Sequence, residues 1–133
     1  MSTFASIEEA REYFAGDIYA MESGITLDAL EGSTATCSMT LTKRHRNANG
    51  GVMGGAIFTL ADFAGAVAGN NIHRPTVAQQ VSCNFLSGSR GSRLIATARC
   101  RKDGKTTCVI NIDVVDDLGT KVARMTATCF RRG

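Results

Sequence analysis

The chain has no apolar run approaching the length of a membrane-spanning helix, only one proline (Pro75) in 133 residues, and no strong excess of either charge. The first absence excludes a helical span, which needs about 20 consecutive apolar residues. The scarcity of proline leaves no proline-rich linker, and no repeat or low-complexity segment divides the chain. The formal net charge of +3 comes from arginines and lysines scattered among acidic residues, which argues against nucleic acid as the main partner. Lys43-Arg44-His45-Arg46 and Arg131-Arg132 are local clusters able to meet an anionic ligand. Cys37, Cys83, Cys100, Cys108 and Cys129 are odd in number and form neither CxxC nor Cys/His spacing for a metal. Most are expected to be small reduced core residues, with no metal site. The residues after Met1 show neither the basic flank nor the apolar core of a secretory leader, so a cytoplasmic location is expected. An apolar fraction of 44% and a charged fraction of 20% suit a single domain over 1–133 with its own core.

Against these absences stand clear periodic signals. Ser6-Ile-Glu-Glu9 reads as a capping box with Ile7, Ala10 and Phe14 at helical spacing, predicting a helix over about 6–15. Ile25 and Leu27 begin an alternation that becomes strict over Thr34–Thr42, with Ala35, Cys37, Met39 and Leu41 on one face. From Gly54 the period changes to that of a helix, which Gly69-Asn70-Asn71 is expected to stop. Strands are then predicted over 77–86, 94–102, 105–115 and 120–130, with Asp103-Gly104 as a hairpin turn and a second turn at 116–119. Two early strands, one long helix and a four-stranded antiparallel meander predict an α+β domain whose sheet curls around the helix.

The long helix carries two unlike faces. Ile57, Leu60, Ala64 and Val67 suit a sheet, while Gly55, Phe58, Thr59, Asp62, Gly65, Ala66 and Gly69 form a smooth, nearly neutral opposite face. Such a face calls for burial too, and a second copy packed about a two-fold axis is the economical partner. Asp62 is the only formally charged side chain between Arg46 and Arg74. A carboxylate kept there is either satisfied by neighbouring donors or poised to act on a substrate. Upstream, Gly50-Gly51 and Gly54-Gly55 permit close backbone approach, and the unpaired N–H groups of a helix start suit an oxyanion or a polarised carbonyl. Asn47 adds an amide able to orient water.

Asn47-Ala-Asn-Gly-Gly-Val-Met-Gly-Gly-Ala-Ile-Phe-Thr-Leu-Ala-Asp62 resembles the signature of the PaaI-like hotdog-fold acyl-CoA thioesterases: Asn, a glycine-containing loop, His-Gly-Gly, then an apolar helix with Leu-Ala-Asp. The resemblance continues through Phe85-Leu86, Gly91–Ala98 and Gly119–Ala123 and covers nearly the whole chain. It implies a sheet wrapped around one long helix, homodimers with two interfacial sites, and often a homotetramer built as a dimer of dimers. It further implies Asp62 as nucleophile or general base, the Gly54 N–H polarising the thioester carbonyl, and Asn47 placing water or substrate, with Asp62 from one chain and Gly54 and Asn47 from the other. The implied substrate is an acyl-CoA, and the resemblance calls for no metal or separate cofactor, which suits a thioester that is already activated. Gly55 belongs to the same helix start, Met53 suits the lining of an acyl pocket, Gln80 falls where the family has a small hydroxyl residue near the carboxylate, and Arg90 in the Ser87–Gly91 loop suits a CoA phosphate.

The departure is Met53, which stands where the family has histidine and offers no strong hydrogen bond or proton. Three readings follow: hydrolysis without that histidine, acyl-CoA binding or sensing without hydrolysis, or replacement of the histidine by Asn49, Gln79, Gln80 or Ser82. A hydratase is disfavoured because no histidine stands beside Asp62 in the motif. His45, in a basic run, and His73, after the helix stop, are expected at the surface.

Overall fold

The computed structural model describes residues 2–133. Ser6 caps the first helix as its sequence suggests: its Oγ accepts the Glu9 N–H at 3.1 Å, and α1 runs over Ile7–Phe14 with Ala10 and Phe14 buried. A second helix, α2 (Ile18–Glu22), follows directly and is too short to leave a periodic signal. Strands β1 (Ile25–Glu31) and β2 (Thr34–Thr40) pair antiparallel, and Ala35, Cys37, Met39 and Leu41 all enter the core.

Helix α3 spans Gly54–Ile72, past the expected stop. Asn70 and Asn71 lie inside it and are buried, because their side chains serve groups elsewhere. Asn70 accepts the Thr76 N–H at 3.0 Å and donates to the Thr76 carbonyl at 3.1 Å, while Asn71 donates to Gly32 O at 2.7 Å. The helix end is thereby tied both to the next strand and to the β1–β2 turn. Polar residues that look like a stop in the sequence instead hold the helix in place. No helix among the described residues is long and apolar enough to cross a membrane.

The remaining strands are β3 (Thr76–Phe85), β4 (Arg93–Asp103), β5 (Thr107–Asp116) and β6 (Lys121–Arg131). They complete a six-stranded antiparallel sheet in the order β1-β2-β4-β5-β6-β3. β4, β5 and β6 form a meander joined close to the predicted turns, the first of them displaced to 104–106 because Asp103 pairs with Cys108 in the ladder, but β3 is not its first member. It pairs with β6 at the far edge of the sheet, because a hairpin needs a tight turn and a longer polar segment joins β3 to β4. Register shifts in four strand pairs add the local twist that curls the sheet. The curled sheet buries Leu60, Ala61, Ala64, Val67 and Ala68 of α3 completely. The architecture is α+β, a long helix wrapped by an antiparallel sheet, as expected of a hotdog fold. Cys37, Cys108 and Cys129 are buried and Cys83 and Cys100 half-buried, all as free thiols.

Candidate functional site

The smooth face of α3 is shorter than its sequence suggests. Gly65 and Gly69 are buried: a Cβ on Gly65 would lie 3.3 Å from Ile112 Cδ1, and one on Gly69 would lie 3.2 Å from both Ile110 Cδ1 and Thr76 Cγ2. These glycines let β5 and the start of β3 close over the second half of the helix. The outward stripe is therefore confined to the exposed Gly55, Phe58 and Asp62 and the half-buried Thr59 and Ala66.

Asp62 stands at the edge of a cleft of about 440 Å³ between α1, α3, the start of β3 and β6. Val77, Ala78, Met125, Ala127 and Cys129 give that cleft apolar walls. Asp17, the residue that opens α2, shares the cleft with Asp62 and shares a smaller hollow of about 230 Å³ on the other side as well. Desolvation against these walls raises the Asp62 pKa above the ordinary carboxylate value, and the charge of Asp17 raises it further. Burial likewise raises the pKa of Asp17. No ion pair among the described residues involves Asp62. Nor does any hydrogen bond found among them tie its carboxylate to a neighbouring loop.

The helix start lies two turns away. Gly54 and Asp62 are eight positions apart in α3, roughly 12 Å along the axis at the usual rise. Met53 occupies the N-cap position with no side-chain cap, and its ring-less thioether is 49% exposed. The Met53 carbonyl accepts the Ala56 and Ile57 N–H groups, so the Gly54 and Gly55 N–H groups are those that the helix geometry leaves outside the ladder. Phe85, at the end of β3, packs on Gly54 so closely that a Cβ there would touch its ring at 3.4 Å. Asn47 shapes the preceding loop: its Oδ1 accepts the Asn49 and Gly51 N–H groups at 2.9 and 3.0 Å. That leaves its amide NH₂ as the part able to reach a ligand.

Gln80 lies on edge strand β3, exposed, with only a long 3.5 Å contact to the neighbouring Val81 carbonyl. Arg90 is exposed, but the N–H groups of its loop are differently placed from the sequence reading. Those of Arg90 and Gly91 donate to Oδ2 of the buried Asp116 at 2.8 and 2.9 Å, and those of Ser92 and Arg93 go to Asp117. A phosphate at this loop would meet the Arg90 guanidinium rather than those amides. Within one chain neither Gln80 nor Arg90 lines the Asp62 cleft.

The expectation for His45 is overturned: it is buried, because both ring nitrogens find partners inside. Nδ1 accepts the Thr42 N–H at 3.0 Å, so Nε2 carries the proton and donates to Ser23 O at 2.7 Å. The ring is thus committed to the turn over Lys43–His45 and does not replace the absent histidine at Met53. His73 is half-buried rather than freely exposed. Asp17, and Phe14 beyond its expected place on the buried face of the first helix, reach the cleft only through the packing of α1 and α2 on α3.

The sequence profile of the Thioesterase superfamily matches residues 49–123. The acyl-coenzyme A thioesterase PaaI of Escherichia coli is 32% identical over 127 residues, spanning 95% of this chain and 91% of that protein. The solved structure of the E. coli PaaI protein from the phenylacetic acid degradation operon superimposes with a TM-score of 0.84 at 30% identity, covering 96% of this chain and 97% of its own. The acetyl-CoA-bound smu.793 of Streptococcus mutans UA159 superimposes with a TM-score of 0.78 at 28% identity, covering 82% and 89%.

Proposed function

The chain belongs to the thioesterase superfamily, as a PaaI-like hotdog protein, and from that membership we propose that it hydrolyses acyl-CoA thioesters to the free acid and CoA. Asp62 acts as general base on water or as nucleophile, the Gly54 N–H polarises the carbonyl with Gly55 beside it, and Asn47 places the water through its amide. The observation that carries this reading is Asp62 itself, an outward-facing and partly desolvated carboxylate that no ion pair among the described residues engages, lining an apolar cleft. As base, Asp62 takes a proton from water while the water oxygen attacks the carbonyl carbon. The oxyanion forms against the helix-start N–H, and its collapse expels the CoA thiolate, which receives the proton. The chemistry asks for no cofactor beyond the CoA of the substrate.

The site is completed by a second copy of the chain. Roughly 12 Å of helix separates Asp62 from its own Gly54, too far for both to touch one carbonyl. β3 offers an unpaired edge with Val77 and Phe85 exposed. Antiparallel pairing of β3 with its own copy near Gln80 and Val81 brings the Phe85 end of one chain opposite Val77 and Ala78 of the other. The helix start packed under Phe85 then arrives beside the Asp62 cleft, with Gln80 at the two-fold. A dimer of dimers extends the same symmetry. Arg90, without an ion pair among the described residues, is left to hold a CoA phosphate.

Met53 favours one other reading, acyl-CoA binding without hydrolysis. Thiol release from short-chain, long-chain and aromatic acyl-CoAs separates the two. Native turnover that Met53→His increases is the expected result. Acyl-CoA bound by the native chain without turnover, and turnover appearing only with Met53→His, establishes the binding module instead.

Desolvation first, and the neighbouring carboxylate second, place the acid limb of the rate profile. Among the described residues Asp17 is the charged group whose field raises the Asp62 pKa, and Cys129 on the facing strand stays a neutral thiol, its pKa pushed up to about 12 by burial and then by Cys108. Since the ionised form of Asp62 is the active one, activity rises as pH passes its raised pKa. Asp17→Asn removes one cause of that rise and moves the acid limb of kcat to lower pH. A limb that stays in place rules out the coupling.

A further inference from the structure

Phe14 belongs to two cavities at once. From α1 it lines the Asp62 cleft of about 440 Å³, and it also walls a second cavity of about 420 Å³ bounded by Met21, Ile25, Leu27 and Phe63. Among the described residues it is the one side chain that the two share. Its ring is 4% exposed and stands edge-on against Phe63, with centroids 5.5 Å apart and planes at 72°. Phe63 follows Asp62 in α3, so the second cavity begins directly behind the carboxylate-bearing turn.

The polar groups at the rim of the second cavity are largely engaged elsewhere. Arg11 donates through Nε to Leu27 O at 2.9 Å, the Thr26 hydroxyl donates to Asp28 at 2.9 Å, and Asp28 pairs with Arg93 at 3.4 Å. The remaining walls, Phe14, Met21, Ile25, Leu27 and Phe63, are hydrocarbon and aromatic surface, which suits an aliphatic occupant.

We propose that Phe14 is the acyl-length stop of this protein, an aromatic partition that confines short and aromatic acyl groups to the Asp62 cleft and closes off a second cavity able to take the tail of a long aliphatic chain. This rests on the reading of the Asp62 cleft as the acyl site. The specificity follows from shape: a chain that outgrows the cleft must displace a buried ring from its stack, and removing the ring joins the two cavities.

The test compares kcat/KM for butanoyl-, octanoyl- and dodecanoyl-CoA in the native protein, Phe14→Ala and Phe14→Leu, with binding of the same acyl-CoAs measured in parallel. Phe14→Ala is expected to raise the dodecanoyl-to-butanoyl ratio about tenfold or more, the discrimination that pocket shape commonly supplies. Phe14→Leu, which keeps most of the core volume, shifts the ratio the same way by less and carries the test if the alanine variant does not fold. Affinities report the same length limit if the native chain binds without turnover. An unchanged ratio in folded variants that still turn over or bind overturns the role of Phe14. A native chain that neither hydrolyses nor binds any acyl-CoA overturns the acyl-CoA reading, and this inference with it.

Discussion

Asp62→Asn lowers kcat for acyl-CoA hydrolysis by about 100- to 10,000-fold, the range that a positioned proton-transfer group contributes. Asparagine keeps the shape of the side chain but takes no proton from water and forms no anhydride with the acyl group, so both uses of the carboxylate fail together. KM changes less than kcat, because the lost interaction belongs to the transition state. The variant also folds at least as well as the native chain. Asp62 makes no ion pair whose partner the change would strand. Its pKa is raised in the fold, so the folded chain holds the proton more tightly than the unfolded one, and the ionised carboxylate opposes folding at neutral pH. A lower kcat together with an unchanged or higher Tm is therefore the expected pair of results. Native-like turnover in Asp62→Asn removes Asp62 from the chemistry. A lower kcat accompanied by a lower Tm assigns it a structural role instead.

That carboxylate was legible in the sequence because its chemistry conflicts with its surroundings: one charge in a long neutral segment demands an explanation wherever the helix lies. The glycines at 54 and 55 were legible for a related reason, since they open a helix without a side-chain cap. Asp17 left no such trace. It sits at the junction of two short helices, where an aspartate reads as an ordinary helix opener, and only the packing of α1 and α2 against α3 brings it to the cleft. His45 misled because its neighbours are basic and exposed, whereas its own ring is held by Thr42 and Ser23, one of them distant in the chain. Gly65 and Gly69 fall by angle on the outer face of α3, and it is the curl of the sheet, a tertiary property, that buries them.

The strands show the same division between local and distant causes. Alternation placed Ala35, Cys37, Met39 and Leu41 inward, and Asp103-Gly104 located the β4–β5 hairpin, because side-chain period and turn chemistry act over a few residues. The position of β3 beyond β6 depends on a long connection and on pairing with residues far away in the chain, which no local pattern records. That placement matters functionally, since it leaves β3 as the exposed edge on which the proposed dimer depends.

Asp116→Asn lowers Tm at neutral pH by on the order of 10 °C, through loss of a buried anchor rather than of packing. The Asp116 carboxylate is 2% exposed and serves two loops at once. Oδ2 accepts the Arg90 and Gly91 N–H groups at 2.8 and 2.9 Å and the Ser89 hydroxyl at 3.2 Å, while Oδ1 accepts the Leu118 and Thr120 N–H groups at 3.0 and 2.8 Å. Asparagine directs its NH₂ at one of these pairs of donors, so backbone groups that cannot turn away lose their acceptor. Burial alone would raise the Asp116 pKa, but the four backbone donors outweigh it and hold the carboxyl well below the ordinary carboxylate range. A depressed folded pKa means that the contribution is complete above the unfolded value of about 3.9 and fades as pH falls below it. The Tm gap between native and variant chains is accordingly widest from neutral pH down to about pH 5 and narrows below about pH 4. A gap of less than about 2 °C at neutral pH overturns this role. The consequence reaches the proposed CoA contact as well. The loop that Asp116 fixes carries Arg90, so the variant also binds CoA more weakly at temperatures where it is fully folded, and an unchanged CoA affinity there places the phosphate contact elsewhere.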